Sequence, residues 1–156
     1  MVDSGCCNDG IMTVFDLSRY AKLKEIEVGS QCFYGITEVK LIGMKELQRV
    51  VIGNCSFCSK YRRIRGSFQL KYCERLRELK IGCSSFFSYA TCEIANLNSL
   101  EVIEMGSLGC VSGVFHEASL VLRSFGCLRH LMNRLASVEV SSHRQKRLPM
   151  LSSCCA

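Results

Sequence analysis

The chain has 156 residues, 48% of them apolar and 22% charged, which gives room for one folded domain and a short extension. Twelve Gly and a single Pro exclude collagen-like and low-complexity chains, and no run reaches the ~18 apolar residues of a membrane span. The net charge of +6 is uneven: residues 1–117 hold 14 Lys and Arg against 13 Asp and Glu, whereas 118–156 hold six basic residues against Glu139, so a near-neutral body precedes a basic tail.

Residues 1–11 read as an N-terminal lead. Met1-Val2-Asp3-Ser4-Gly5-Cys6-Cys7 has neither the basic nor the apolar region of a secretory leader. Twelve Cys without such a leader predict reduced thiols and a cytoplasmic location.

From residue 12 to 115 the chain repeats itself. Leu23, Leu47, Leu76 and Leu100 each open the same line: Leu23…Ile26-x-Val28-Gly29, Leu47…Val50-x-Ile52-Gly53, Leu76…Leu79-x-Ile81-Gly82 and Leu100…Ile103-x-Met105-Gly106. Four residues after each Gly stands Phe33, Phe57, Phe86 or Cys110. Eight, six and three residues before each leading Leu stand Phe15/Leu17/Tyr20, Val39/Leu41/Met44, Phe68/Leu70/Cys73 and Cys92/Ile94/Leu97. All four units fill every apolar position of this frame. The alternating end of each line predicts strands at 23–28, 47–52, 76–81 and 100–105, each stopped by Gly, and the upstream pairs predict a second, shorter strand per unit. One unit alone cannot bury its apolar positions, whereas stacked units share a core. Identical phase in every unit favours parallel stacking.

The third unit arrives five residues late, around Lys60-Tyr61-Arg62-Arg63-Ile64-Arg65-Gly66, and insertions in repeat arrays map to surface loops. Residues 116–140 read in two ways. A degenerate fifth unit would use Leu120, Leu122, Phe125, Leu128 and Leu131; an amphipathic helix would use Val121, Phe125, Leu128, Met132 and Leu135. The helix, over about 120–138, is preferred because a stack needs an atypical cap, although Gly126 opposes it. Residues 141–156, rich in Arg, Lys and Ser, predict a disordered basic tail.

No constellation reads as a catalytic or metal centre. Cys55-Ser56-Phe57-Cys58 is the one C-x-x-C, but it has neither a second ligand pair for zinc nor the strand-to-helix turn of a redox motif. Cys73, Cys92 and Cys110 occupy core positions of the frame, and Cys32, Cys55 and Cys83 follow its Gly, so they read as small apolar fillers. No cofactor is expected.

The Leu-x-x-Leu-x-Ile-Gly lines resemble the leucine-rich-repeat superfamily, in its irregular class of microbial and protist surface proteins, over roughly residues 12–115. The resemblance implies a mainly β, short right-handed solenoid of about four coils, and a binding role rather than an activity. The expected function is therefore a non-enzymatic protein-interaction scaffold. Its contact row is Glu25, Glu27, Arg49, Val51, Glu78, Lys80, Val102 and Glu104, the outward positions of the four lines. Glu25, Arg49 and Glu78 alternate in sign at one offset and predict a lateral charge ladder. The alternative is an anionic-surface binder, for nucleic acid or an acidic membrane, acting through Lys60–Arg65 and the basic C-terminal segment.

Overall fold

The computed structural model describes residues 1–58, 65–106 and 119–125. Nine strands follow in chain order: β1 (Val14–Asp16), β2 (Glu25–Val28), β3 (Glu38–Ile42), β4 (Arg49–Ile52), β5 (Gly66–Lys71), β6 (Glu78–Ile81), β7 (Tyr89–Leu97), β8 (Val102–Met105) and β9 (Ser119–Phe125). The chain is mainly β, and no helix occurs among the described residues. Odd strands form one sheet in the order β1-β3-β5-β7-β9 and even strands the other, β2-β4-β6-β8. Every pairing is parallel.

The even strands begin two residues later than the sequence predicts. The leading leucines lie in the corner before each strand, where the amides of Leu23, Leu47, Leu76 and Leu100 donate to the carbonyls of Tyr20, Met44, Cys73 and Leu97. This three-residue closure turns the chain from one sheet to the other, while Leu47, Leu76 and Leu100 stay buried.

The helix expected from about 120 to 138 is corrected over its first part. Residues 119–125 form β9, in register with β7: Cys92 opposes Leu120, Ile94 opposes Leu122 and Leu97 opposes Phe125. These are the offsets of the degenerate-unit reading. The free edge of β7 supplies backbone partners that a helix would leave unused. Residues 126–140, and the tail beyond, lie outside the described residues.

Inward side chains of both sheets merge into one buried cluster. Its spine is aromatic. Phe33, Phe57 and Phe86 stack with ring centroids 5.0 Å apart at interplanar angles of 9° and 2°, close to the spacing of adjacent strands. Phe15 meets Phe33 and Phe57 edge-on at 4.8 and 5.3 Å. Tyr89 packs against Phe86 and donates its hydroxyl to the Ile36 carbonyl at 2.8 Å.

The turns after β2, β4 and β6 are built from two devices. The first is conformational: Gln31 and Phe33, Cys55 and Phe57, and Ser84 and Phe86 all take left-handed backbone at φ between 54° and 60°. The second is a pair of polar ladders. One residue past each glycine, the Ser30 amide donates to Ser4 Oγ, the Asn54 amide to Ser30 Oγ and the Cys83 amide to Asn54 Oδ1. Three residues past it the ladder runs the other way: the Cys32 amide donates to Ser56 Oγ and the Ser56 amide to Ser85 Oγ, both at 3.2 Å. The hydroxyls of Ser56 and Ser85 then donate to the Gly29 and Gly53 carbonyls at 2.8 and 2.7 Å. Both serines are buried, so these bonds supply the partners that water cannot.

The glycines are required for close approach. A Cβ on Gly53 would stand 2.6 Å from the Gly29 carbonyl carbon, and one on Gly82 would stand 2.6 Å from the same atom of Gly53. The N-terminal lead joins the array at this end. Val2 bridges to Val28, the Gly29 amide donates to the Val2 carbonyl, and the Gly5 amide to Ser30.

Candidate functional site

Each even strand is four residues long, and in β2, β4 and β6 burial alternates because side chains point to opposite faces along a strand. The inward positions hold Ile26 and Val28, Val50 and Ile52, Leu79 and Ile81. The outward positions hold the eight residues of the expected contact row, and parallel register sets them in two straight lines. Glu25, Arg49, Glu78 and Val102 oppose one another in the first, and Glu27, Val51, Lys80 and Glu104 in the second. All eight therefore share one face.

Electrostatics ties five of them into a single chain. The Arg49 guanidinium reaches Glu27 and places its Nε 2.7 Å from Glu78. The Lys80 ammonium lies 2.7 Å from Glu78 and 3.5 Å from Glu104. Hydrogen bonds from Lys80 and then Arg49 hold the Glu78 carboxyl below its ordinary value. The carboxylates of Glu27 and Glu78 raise Arg49, and that of Glu78, with Glu104, raises Lys80. The expected ladder is corrected at one rung. Arg49 pairs diagonally with Glu27 rather than with Glu25, its register partner, and Glu25 joins no ion pair among the described residues. The longer diagonal span suits a long Arg side chain, so the shorter cross-strand approach to Glu25 goes unused. Val51 stands between Glu27 and Lys80 in its line, half-buried among charges.

Beside this face a shallow open groove follows the glycine column, lined among others by Gly53, Asn54, Lys80, Gly82, Glu104 and Gly106.

The remaining candidates fall elsewhere. Lys60–Arg63 and the basic C-terminal segment lie outside the described residues; Arg65 is exposed just before β5. Cys55 and Cys58 carry free thiols. Burial pushes the Cys58 thiol up to about 11, the opposite of the lowered value that makes a thiol reactive at neutral pH. Burial likewise raises Cys73 and Cys92.

Two features escaped the sequence frame. The polar ladders were visible as Ser30-x-Cys32, Asn54-x-Ser56 and Cys83-x-Ser85 at fixed offsets from Gly, an alternation of small polar and thiol residues. The N-terminal pairing was visible as Val2-x-Ser4-x-Cys6, which repeats Val28-x-Ser30-x-Cys32. No protein-family model, curated protein or solved structure matches the chain. No helix among the described residues is long and apolar enough to cross a membrane.

Proposed function

We propose that the protein is a non-enzymatic interaction scaffold, a short right-handed solenoid of the leucine-rich-repeat type whose four-stranded face receives a protein partner. Support for the solenoid comes from the common phase of both sheets: each unit contributes one strand to each, and successive units pair in parallel without a slip between the even strands. The binding role rests on one observation. Eight outward side chains stand in two fixed lines, five of them held by their own ion pairs, so presenting them to a partner costs little ordering entropy. Val51 and Val102 supply apolar contact within that row. Four strands at ~4.8 Å spacing span ~15 Å, a compact footprint that favours a partner engaging the groove as well. The eight free thiols among the described residues support a reducing, cytoplasmic location.

The test is capture of a partner with the whole chain as bait. Val51→Glu or Val102→Lys is expected to weaken that complex at least tenfold with the melting temperature unchanged. Charge reversal at Arg62, Arg63 and Arg65 that abolishes capture, with the valine variants neutral, would move the function to the inserted loop and its anionic-surface reading.

A further inference from the structure

The first coil is closed on one side and open on the other. On the four-stranded side the N-terminal lead continues the array. Val2 bridges to Val28, the Phe33 amide donates to the Cys6 carbonyl at 3.2 Å and the Tyr34 amide to Asn8 Oδ1 at 2.9 Å. Asp3 then stands in the glycine column: the Gly29 amide meets the Val2 carbonyl as the Gly53 amide meets that of Val28, each at 2.8 Å. A Cβ on Gly29 would lie 2.5 Å from the Ser4 amide nitrogen, and one on Gly106 2.6 Å from that of Cys83. Asp3 carries such a Cβ, so a further full coil stacked in register beyond it would collide.

On the five-stranded side β1 is the outermost strand, and its second edge is unpaired among the described residues. Phe15, Leu17 and Leu23 are only half-buried there, and Tyr20 is 61% exposed. Their equivalents one coil on, Val39, Leu41, Leu47 and Met44, are at most 1% exposed. The frame positions are the same, so the difference is the neighbour on one side. Val14 adds an exposed apolar side chain on the outward face, where Glu38, Ser67 and Thr91 follow in register. A repeat array ordinarily ends on a polar cap; this half of the end is apolar.

The backbone of β1 is open in the same direction. The Thr13 carbonyl accepts from the Glu38 amide and the Leu17 amide donates to the Lys40 carbonyl, both at 3.1 Å. Because these groups alternate along a strand, residues 13, 15 and 17 bond β3, while the amides and carbonyls of Val14 and Asp16 face the free edge. The array shows four times what an edge of this kind binds. The equivalent edges of β3, β5, β7 and β9 are occupied by β1, β3, β5 and β7, and every occupant carries apolar residues at n, n+2 and n+5, as Val39, Leu41 and Met44 do.

We infer that the free edge of β1 is a docking site for an extended segment of a partner protein, which adds as a parallel strand with apolar residues at n, n+2 and n+5 against Phe15, Leu17 and Tyr20. The register names its bonds: the Val14 amide donates to the carbonyl of residue n−2, and the amide of residue n+2 donates to the Asp16 carbonyl, the roles that Glu38 and Lys40 play for β1. The occupant is a single strand rather than a second copy stacked end to end, because Asp3 bars the four-stranded side. Strand addition of this kind draws affinity from main-chain bonds and specificity from alternate side chains. The site lies on the other sheet from the proposed contact face, so the two readings fail independently.

The test is fluorescence anisotropy of a labelled synthetic peptide with the sequence of residues 37–47, which has the required spacing, against the full chain. The peptide should bind, and a scrambled version should bind about tenfold more weakly or worse. Methylating the Leu41 amide of the peptide removes the bond to the Asp16 carbonyl and should weaken binding about tenfold with the protein untouched. Val14→Pro removes the outward amide at the first residue of an edge strand, a position that tolerates Pro, and should have the same effect with the melting temperature held. Tyr20→Ser, at an exposed site, should also weaken binding about tenfold. No binding, equal binding of the scrambled peptide, or indifference to the methylated amide would overturn the assignment. So would a dimer in sedimentation velocity that Val14→Pro dissociates, which makes a second copy the occupant. Recovery of the chain on phosphatidylcholine vesicles that Ile11→Ser with Met12→Ser abolishes would overturn it in favour of a lipid surface.

Discussion

The aromatic spine sets up a double-mutant cycle whose outcome follows from geometry. Phe57 is 1% exposed and stacks on Phe33 and on Phe86 at 5.0 Å each. Truncating one such ring to Ala costs about 3–5 kcal/mol, and truncating two would approach the whole stability of a domain, about 5–15 kcal/mol. Leu is therefore the better probe, since it keeps most of the volume and removes the ring. A stacked pair contributes about 0.5–1.5 kcal/mol beyond its buried area. The cycle Phe33→Leu with Phe57→Leu should return a coupling energy of that size in urea denaturation followed by circular dichroism, with the denaturant slope unchanged. Phe33 and Phe86 lie two units apart, about 10 Å from centroid to centroid, and meet only through Phe57, so their cycle should return a smaller coupling than that of Phe33 with Phe57. Zero coupling between Phe33 and Phe57, or equal coupling in both cycles, would refute the spine as a stack of neighbours.

Ser85→Ala removes the acceptor of the buried Ser56 amide and the donor to the Gly53 carbonyl, and should cost about 1–3 kcal/mol in the same assay. Asn54→Ala breaks the exposed ladder, where water replaces the lost oxygen, and should cost less. Gly82→Ala drives a Cβ to within 2.6 Å of neighbouring backbone and should lower the melting temperature markedly, whereas Gly43→Asn, in open space at φ 68°, should be tolerated. Cys58 gives a pH signature. Its folded value, about 11, stands above the ordinary 9.0, so its contribution is complete below pH 9 and is lost as pH rises toward 11. Over that window the stability of Cys58→Ala should fall less steeply than that of the parent, by up to about 1.4 kcal/mol per pH unit.

The repeat frame was legible because a period written four times fixes register as well as strand position. Once Leu23, Leu47, Leu76 and Leu100 are aligned, the opposition of Arg49 to Glu78 and of Val51 to Lys80 follows without further information. What the frame could not distinguish is the segment after Gly106. Phe125 and Leu128 serve both a 3.6-residue helix and the repeat offsets, so the apolar pattern alone is degenerate there. The unpaired edge of β7 decides it for residues 119–125, and tertiary pairing of that kind overrides local periodicity. Nor does periodicity report charge partners: the rotamer reach of Arg49 sends it to Glu27 on a diagonal. The candidate site was legible as a row of positions, but its ion chain was not.

The devices hidden from the apolar pattern are the ones that give the face its precision. Strand pairing sets the spacing between units only approximately, since parallel sheets twist and shear. Here three further columns act after β2, β4 and β6: glycines that let backbones approach, buried hydroxyls that join each turn to the next, and left-handed residues that seat a phenylalanine ring beneath them. Each column penalises slippage independently, because a displaced unit would strand a buried amide, collide at a glycine and unstack a ring together. The outward lines from Glu25 to Val102 and from Glu27 to Glu104 inherit that register. Their ion pairs then use charge within the face, which leaves Val51 and Val102 as the groups with most to gain from a partner.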